Sequence, residues 1–324
     1  MAKGKSINAL MKHLRTKHGI EIQGSRNKRD LMNMGYFHGF KGYRFIGQPN
    51  NIIPFQDFDE LVAINKFDTQ IKSLLYPHIM FIETALKNYT LNSLIANSPS
   101  DFEYIFTHLL VDYKAENVGN NKYRDKMKKR LDLKNKILSS IAYNYADGKD
   151  VIKHYLHNNK QVPLWAIFEV ISMGEFGFLL QCLDRTTRIR IAEDLGLHTT
   201  SHNQNGRIPE DIIFLIKELR NAVAHNGVVF DCRFKKTNPP SRVIEYLQSE
   251  TAITNIHFNH IIDYLIVMII LLKKLSVTKN EIKKVLKDLE NYSEHLRDSI
   301  PTSIHTSIMG SDFRSKLEKL RTYI

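Results

Sequence analysis

The amino-acid sequence predicts an all-α protein. Apolar residues recur at helical spacing through almost the whole chain, no alternating run is long enough for a convincing strand, and no βαβ rhythm appears. A small β element is expected at most near residues 36–46 or 228–234. At 324 residues a sizeable core is available without metals or disulfides. A content of 43% hydrophobic and 25% charged residues matches an ordinary soluble globular protein and excludes a disordered chain.

Taken in order, Ser6 caps a first helix whose stripe is Ile7, Leu10, Met11 and Leu14, ending at His18-Gly19. A second short helix opens at Ser25. Residues 35–47, rich in glycine and aromatics and followed by Gln48-Pro49-Asn50-Asn51 and Pro54, read as irregular structure with room for a short hairpin. A long helical pattern runs from Asp57 to about Ala96, and Pro77 is expected to kink or divide it. Helices follow near 101–111, 121–146 and 149–158. Pro163 opens an apolar helix over 164–183. Further helices are expected at 184–195, 209–225, 254–275, 279–298 and 312–321.

The apolar stretch at 261–272 is too short to span a bilayer, and His260, Asp263 and Lys273-Lys274 interrupt or stop it. The basic N-terminus lacks the continuous apolar region of a signal peptide. Two cysteines, Cys182 and Cys232, cannot make a disulfide framework or a cysteine-based zinc site. These features predict a cytoplasmic protein with no membrane partner.

The formal charge of +12 is concentrated. Residues 3–44 carry ten bases, Lys3, Lys5, Lys12, Arg15, Lys17, Arg26, Lys28, Arg29, Lys41 and Arg44, against Glu21 and Asp30. Residues 114–136 carry nine, including Lys126, Lys128, Lys129 and Arg130, against three acids. Together these two segments exceed the whole excess, and the rest of the chain is near neutral. Such clustering is the footprint of a polyanion partner; a solvated helix face is the alternative. In the first segment Tyr36, Phe37, Phe40, Tyr43 and Phe45 alternate with bases and glycines. They are candidates to stack on RNA bases, or else they fill a small core. His18 and His38, in the same region, are candidates to touch RNA.

Chemistry is carried by the helix that opens at Pro209. Its stripe of Ile212, Ile216, Leu219 and Val223 faces inward, and it closes on Arg220-Asn221-Ala222-Val223-Ala224-His225 before Asn226-Gly227, a left-handed cap. Asn221 and His225, four apart, share a face, and the long Arg220 side chain can swing toward a shared phosphate. Imidazole can move protons near neutral pH and guanidinium can hold a phosphate bidentately. The Asn amide can orient the imidazole or donate to a phosphate oxygen. With the ribose 2′-hydroxyl as nucleophile no metal or other cofactor is needed, and RNA alone is cleaved. The bare spacing of Arg and His is unspecific in a chain with 14 His, and His225 could instead simply favour the negative end of its helix. Glu83 and Glu169 lie in apolar helices and each needs a partner, an ion pair or cap contact, or a role orienting Arg220 or His225. His257 and His260 have metal-compatible spacing on a helix but no third ligand, so no metal site is expected.

Several motifs in order then carry a family resemblance: residues 14–22 (LRTKHGIEI), 35–45 (GYFHGFKGYRF), 58–68 (FDELVAINKFD), 79–86 (IMFIETAL), 163–174 (PLWAIFEVISMG) and 220–225 (RNAVAH). The chain resembles, over about 6–275, the Abi-like abortive-infection proteins of bacteria, of the AbiD/AbiF type, within the HEPN superfamily. The resemblance implies a HEPN-like helical bundle with a small basic N-terminal module and helical insertions. It implies a metal-independent endoribonuclease in anti-phage defence, toxin-like, with Arg220, Asn221 and His225 as catalytic residues. It also implies a structured small RNA as regulator or partner, and, since one motif copy is present, a homodimer with a composite site. The domain reading is 1–56 as an RNA-contacting module, 57–275 as the core with a basic insertion near 101–158, and 276–324 as a helical extension. The RNA-binding candidates are Lys12, Arg15, Lys17, Arg26, Lys28, Arg29, Tyr36, Lys41, Tyr43, Arg44, Lys126, Lys128, Lys129 and Arg130. The competing reading is a non-catalytic protein that binds a cognate small RNA; a protein-binding adaptor would leave the charge placement unexplained.

Overall fold

The computed structural model describes residues 5–96, 98–198 and 205–324; Lys3, counted in the first basic segment, lies outside them. Among the described residues there are fifteen α-helices and no strand. The β element expected near 36–46 or 228–234 does not form. Phe37–Lys41 closes a π turn, and Phe45 makes one isolated bridge to Ile52.

Helices α1 (Ile7–His18) and α2 (Gly24–Tyr36) form an N-terminal hairpin. Ser6 accepts from the Ala9 amide at one end of α1 and Gly19, at φ +66°, closes the other. The chain then enters α3 (Phe58–Ile95), capped by Asp57. Pro77 does not divide this 38-residue helix. An interior proline costs about 3 kcal/mol. Ile71, Leu75, Ile79 and Ile82 on either side of it are buried, and each such side chain returns roughly 1.5–3 kcal/mol. The continuous stripe therefore outweighs one missing hydrogen bond.

Helix α3 is the spine, packed by α7 (Leu164–Val170), α9 (Arg185–Asp194), α10 (Ile208–Ala224), α12 (Ile261–Lys274) and α13 (Lys279–Arg297). The basic α5 (Asn121–Ala146) lies against α8 (Met173–Cys182), with α4 (Phe102–His108) and α6 (Asp150–His157) beside it in the chain. The single helix expected over 164–183 is two, α7 and α8. Ser172 accepts from the Glu175 amide at 3.2 Å while Glu175 accepts from the Ser172 amide at 2.6 Å, a capping box that starts a new helix. The Ser-Met-Gly-Glu signal thus prevails over the continuous apolar run around it.

Two helices lie outside the sequence expectations, α11 (Ser241–Thr251) after Pro239-Pro240 and α14 (Thr302–Met309) after Pro301. The chain closes with α15 (Phe313–Tyr323). Helix α12 begins at Ile261, not at 254, because the buried Asp263 carboxylate accepts the His257 and Phe258 amides and holds that lead-in non-helical. His257 and His260 therefore do not share a helix, and the His260 ring contacts the Ile308 carbonyl at 3.0 Å. Lys316 of α15 pairs with Asp263 at 2.7 Å, which explains how a charge sits in so apolar a helix. Helix α12 is buried on all sides, and among the described residues no helix is long and apolar enough to cross a membrane.

Candidate functional site

The end of α10 is built from its buried stripe: Ile212, Ile216, Leu219 and Val223 all pack inward and leave Asn221, Ala224 and His225 facing out. At the cap it is Asn226, at φ +52°, that takes the left-handed conformation, while the Gly227 amide returns to the Ala222 carbonyl at 2.7 Å. A side chain at Gly227 would meet that carbonyl at 3.1 Å, so the turn is tight.

A buried network from α3 holds this turn from behind. Lys72 Nζ donates to Asn226 Oδ1 at 2.6 Å and to the Gly227 carbonyl at 3.3 Å. The same ammonium pairs with Asp68 at 2.9 Å. Asp68 Oδ1 accepts the Val229 and Phe230 amides, each at 2.7 Å, and Oδ2 accepts the Tyr43 hydroxyl at 2.8 Å. Tyr43 is fully buried and stacks on Phe230 with centroids 5.7 Å apart. Burial, then the Asp68 carboxylate, pushes its phenol far above the usual tyrosine range. The expectation that Tyr43 contacts RNA is thus corrected: its ring has no open face, because the segment folds against the turn after His225. Tyr43→Phe is expected to cost about 1.5–3 kcal/mol in unfolding free energy, as for a hydrogen bond to a charged group. A change below the error of a denaturation curve would contradict that.

In front, Arg220, Asn221 and His225 line one pocket of about 520 Å³, together with Lys217, Arg233 and Lys236. Arg220 Nε is held by Glu83 Oε2 at 3.2 Å, and Glu83 Oε1 pairs with Lys87 at 3.2 Å. Asn221 Oδ1 accepts from Arg220 at 3.3 Å, so its amide oxygen steadies the guanidinium and not the imidazole. His225 is exposed, and its ring has no hydrogen-bond partner among the described residues. Of the two acids singled out from the sequence, Glu83 has the ion pair; Glu169 is exposed. Among the described residues no group of three or more His, Cys, Asp or Glu is placed to hold a metal ion.

The structure gathers part of the first basic segment. Lys5, His13, Lys17, His18, Tyr36, Lys41 and Arg44 line an open groove of about 640 Å³ with no acid among them. Lys41 lies over the Tyr36 ring at 5.6 Å. Burial, then the neighbouring His13, Arg44 and Lys5, lowers the His18 pKa, as a concentrated positive field does. Lys12, Lys28 and Arg29 lie outside this groove. Arg15 donates to the Ile22 carbonyl at 2.7 Å, and Arg26 faces Asp59 at 3.7 Å.

Segment 41–45 joins groove to pocket. Arg233, which lines the pocket, donates to the carbonyls of Gly42 at 2.8 Å and Phe45 at 2.7 Å and lies over the Phe45 ring at 3.9 Å. Sequence reasoning missed Arg233, Asp68 and Lys72, whose roles depend on partners far away in the chain. On α5, Lys126 bridges Asp112 at 3.0 Å and Glu116 at 2.7 Å, and Arg130 covers the Phe106 ring at 3.6 Å. Lys129 donates to Gln181 at 2.9 Å, and Lys128 is exposed. Of the four RNA-binding candidates on α5, Lys126 and Arg130 thus have structural partners that would have to be exchanged for phosphate.

Fold and site together define a class: an all-α protein that presents Arg, Asn and His at one helix end, beside a basic groove of its own N-terminal segment. The chain belongs to the Abi-like protein family, whose sequence model matches residues 29–231, and is thereby an abortive-infection protein. The matched stretch runs from α2 to just beyond the Arg220–His225 motif and includes Tyr43, Asp68 and Lys72. Neither a curated protein nor a solved structure matches the chain.

Proposed function

We propose that this protein is an endoribonuclease of the HEPN type in the AbiD/AbiF group, and that it acts in anti-phage defence. The observation that carries the reading is the convergence of Arg220, Asn221 and an exposed His225, whose ring has no partner among the described residues, on one pocket that Lys217 and Lys236 also line. In this mechanism a scissile phosphate sits against Arg220, which Glu83 and Asn221 hold in place. The ribose 2′-oxygen attacks phosphorus, the 5′-oxygen of the next nucleotide leaves, and a 2′,3′-cyclic phosphate forms. His225 moves a proton at one of those two oxygens, and the cations offset charge on the phosphoryl oxygens.

RNA lies along the groove of Lys17, Tyr36, Lys41 and Arg44 and reaches the pocket over segment 41–45. A structured small RNA is the expected regulator in the cytoplasm, and a second copy of the chain completes the site across a twofold axis. The direct test is an RNA with a single 2′-deoxy substitution at the scissile nucleotide. Binding should persist and cleavage at that bond should vanish, while the unmodified RNA yields a cyclic phosphate end. Cleavage of the deoxy bond would refute the mechanism. Combined alanine replacement of Lys17, Lys41 and Arg44 is expected to flatten the salt dependence of RNA binding, log K against log salt, by about 2, at roughly 0.7 per phosphate contact on a single strand. An unchanged slope would exclude the groove.

A further inference from the structure

Arg220 is the wall between two clefts. On its far side from His225 lies a second cleft of about 740 Å³, which shares Arg220 and Ser172 with the first. A strand whose phosphate rests on Arg220 therefore has room on both sides of that phosphate.

The charges of this second cleft are balanced, with Glu83, Glu169 and Glu175 against Lys87, Lys136 and Arg220. It suits a neutral nucleoside better than another phosphate. Two of the three carboxylates are engaged: Glu83 by Arg220 and Lys87, and Glu175 by the Ser172 amide and the Ser140 hydroxyl. Glu169 is exposed into the cleft and has no hydrogen bond or ion pair among the described residues. It stands in the last turn of α7, where the helix dipole disfavours a carboxylate. Tyr143, another residue of the cleft wall, is 70% exposed.

We infer that this cleft is the subsite for the nucleoside next to the scissile phosphate, with Tyr143 stacking on the base and Glu169 selecting guanine. The inference rests on the nucleolytic reading for its alignment with Arg220. A carboxylate is an acceptor only, with two oxygens. Guanine offers two adjacent donors, its ring N1–H and its exocyclic amine. Adenine and cytosine offer only the amine, and the one donor of uracil is flanked by carbonyls that repel a carboxylate.

The test uses five-nucleotide RNAs with a 2′-O-methyl group at the central ribose, so that they bind without being cut. The base on the 5′ side or, in a second series, on the 3′ side of the phosphate that follows the methylated ribose is varied. Fluorescence anisotropy with the full-length protein should show guanine bound about tenfold more tightly than uracil in one of the two series, the scale of one good paired contact. Glu169→Gln should reduce that preference to about twofold, and Tyr143→Ala should weaken all four bases alike, by about tenfold, as loss of stacking does. Equal binding of all four bases in both series, or an undiminished preference in Glu169→Gln, would overturn the subsite. Guanine preference in binding without cleavage of the unblocked RNA supports the subsite and removes the nucleolytic reading, so the two fail separately.

Discussion

His225→Ala is expected to lower the rate of RNA cleavage by about 10²- to 10⁴-fold, the range for loss of a general acid or base. In activation free energy this is roughly 3–5.5 kcal/mol. The side chain is exposed and has no hydrogen bond among the described residues, so the fold has little to lose with it. The thermal unfolding midpoint of the variant should therefore match the parent. RNA affinity should also hold, because the groove of Lys17, Tyr36, Lys41 and Arg44 is a separate surface. The expected pattern in single-turnover kinetics is a collapsed maximal rate at unchanged half-saturation. Undiminished cleavage would remove His225 from the mechanism. Equal loss of binding and cleavage would make it a contact residue and favour the reading of a protein that holds RNA without cutting it.

Asp68→Ala should be the most destabilising single substitution discussed for this chain, at about 3–5 kcal/mol, the cost of leaving one partner of a buried pair uncompensated. The carboxylate has no exposed surface and accepts the Tyr43 hydroxyl and the Val229 and Phe230 amides besides pairing with Lys72. Its removal strands a buried ammonium and two backbone donors at once, and the unfolding midpoint should fall by roughly 4–7 °C. The double variant Asp68→Asn with Lys72→Met removes both charges and should recover a large part of the loss, since hydrophobic replacement of a buried pair is often near neutral. A loss below about 1 kcal/mol for Asp68→Ala, or no recovery in the double variant, would show that the network does not hold the turn after His225.

Much of the architecture could be read along the chain. The caps at Ser6 and Asp57, the bounds of α5, and the inward stripe of α10 depend on residues within a few positions of one another. The fold departs from that local reading where a distant contact or a weak local signal decides the outcome. The lead-in to α12 stays non-helical because Asp263 takes its amides, and Pro77 is carried by packing on both sides. The break between α7 and α8 is local, set by the Ser172–Glu175 capping box, but the apolar residues on both sides hide it from a reading by periodicity. The site divides in the same way. Arg220, Asn221 and His225 lie within one and a half helical turns, so their meeting at one pocket follows from helix geometry.

By itself, then, the sequence determined the all-α class, the placement of most helices, the motif at the end of α10 and the concentration of positive charge. All of these are set by periodicity, capping and composition, which act over short distances. Only the tertiary structure decided what each charged or aromatic side chain does. Tyr43 was drawn into the core beneath the turn, Arg233 became the clasp between groove and pocket, Glu83 was consumed in holding Arg220, and Glu169 was left without a partner among the described residues. Burial and pairing depend on which groups from remote parts of the chain arrive within about 3–4 Å, and linear order does not encode that distance.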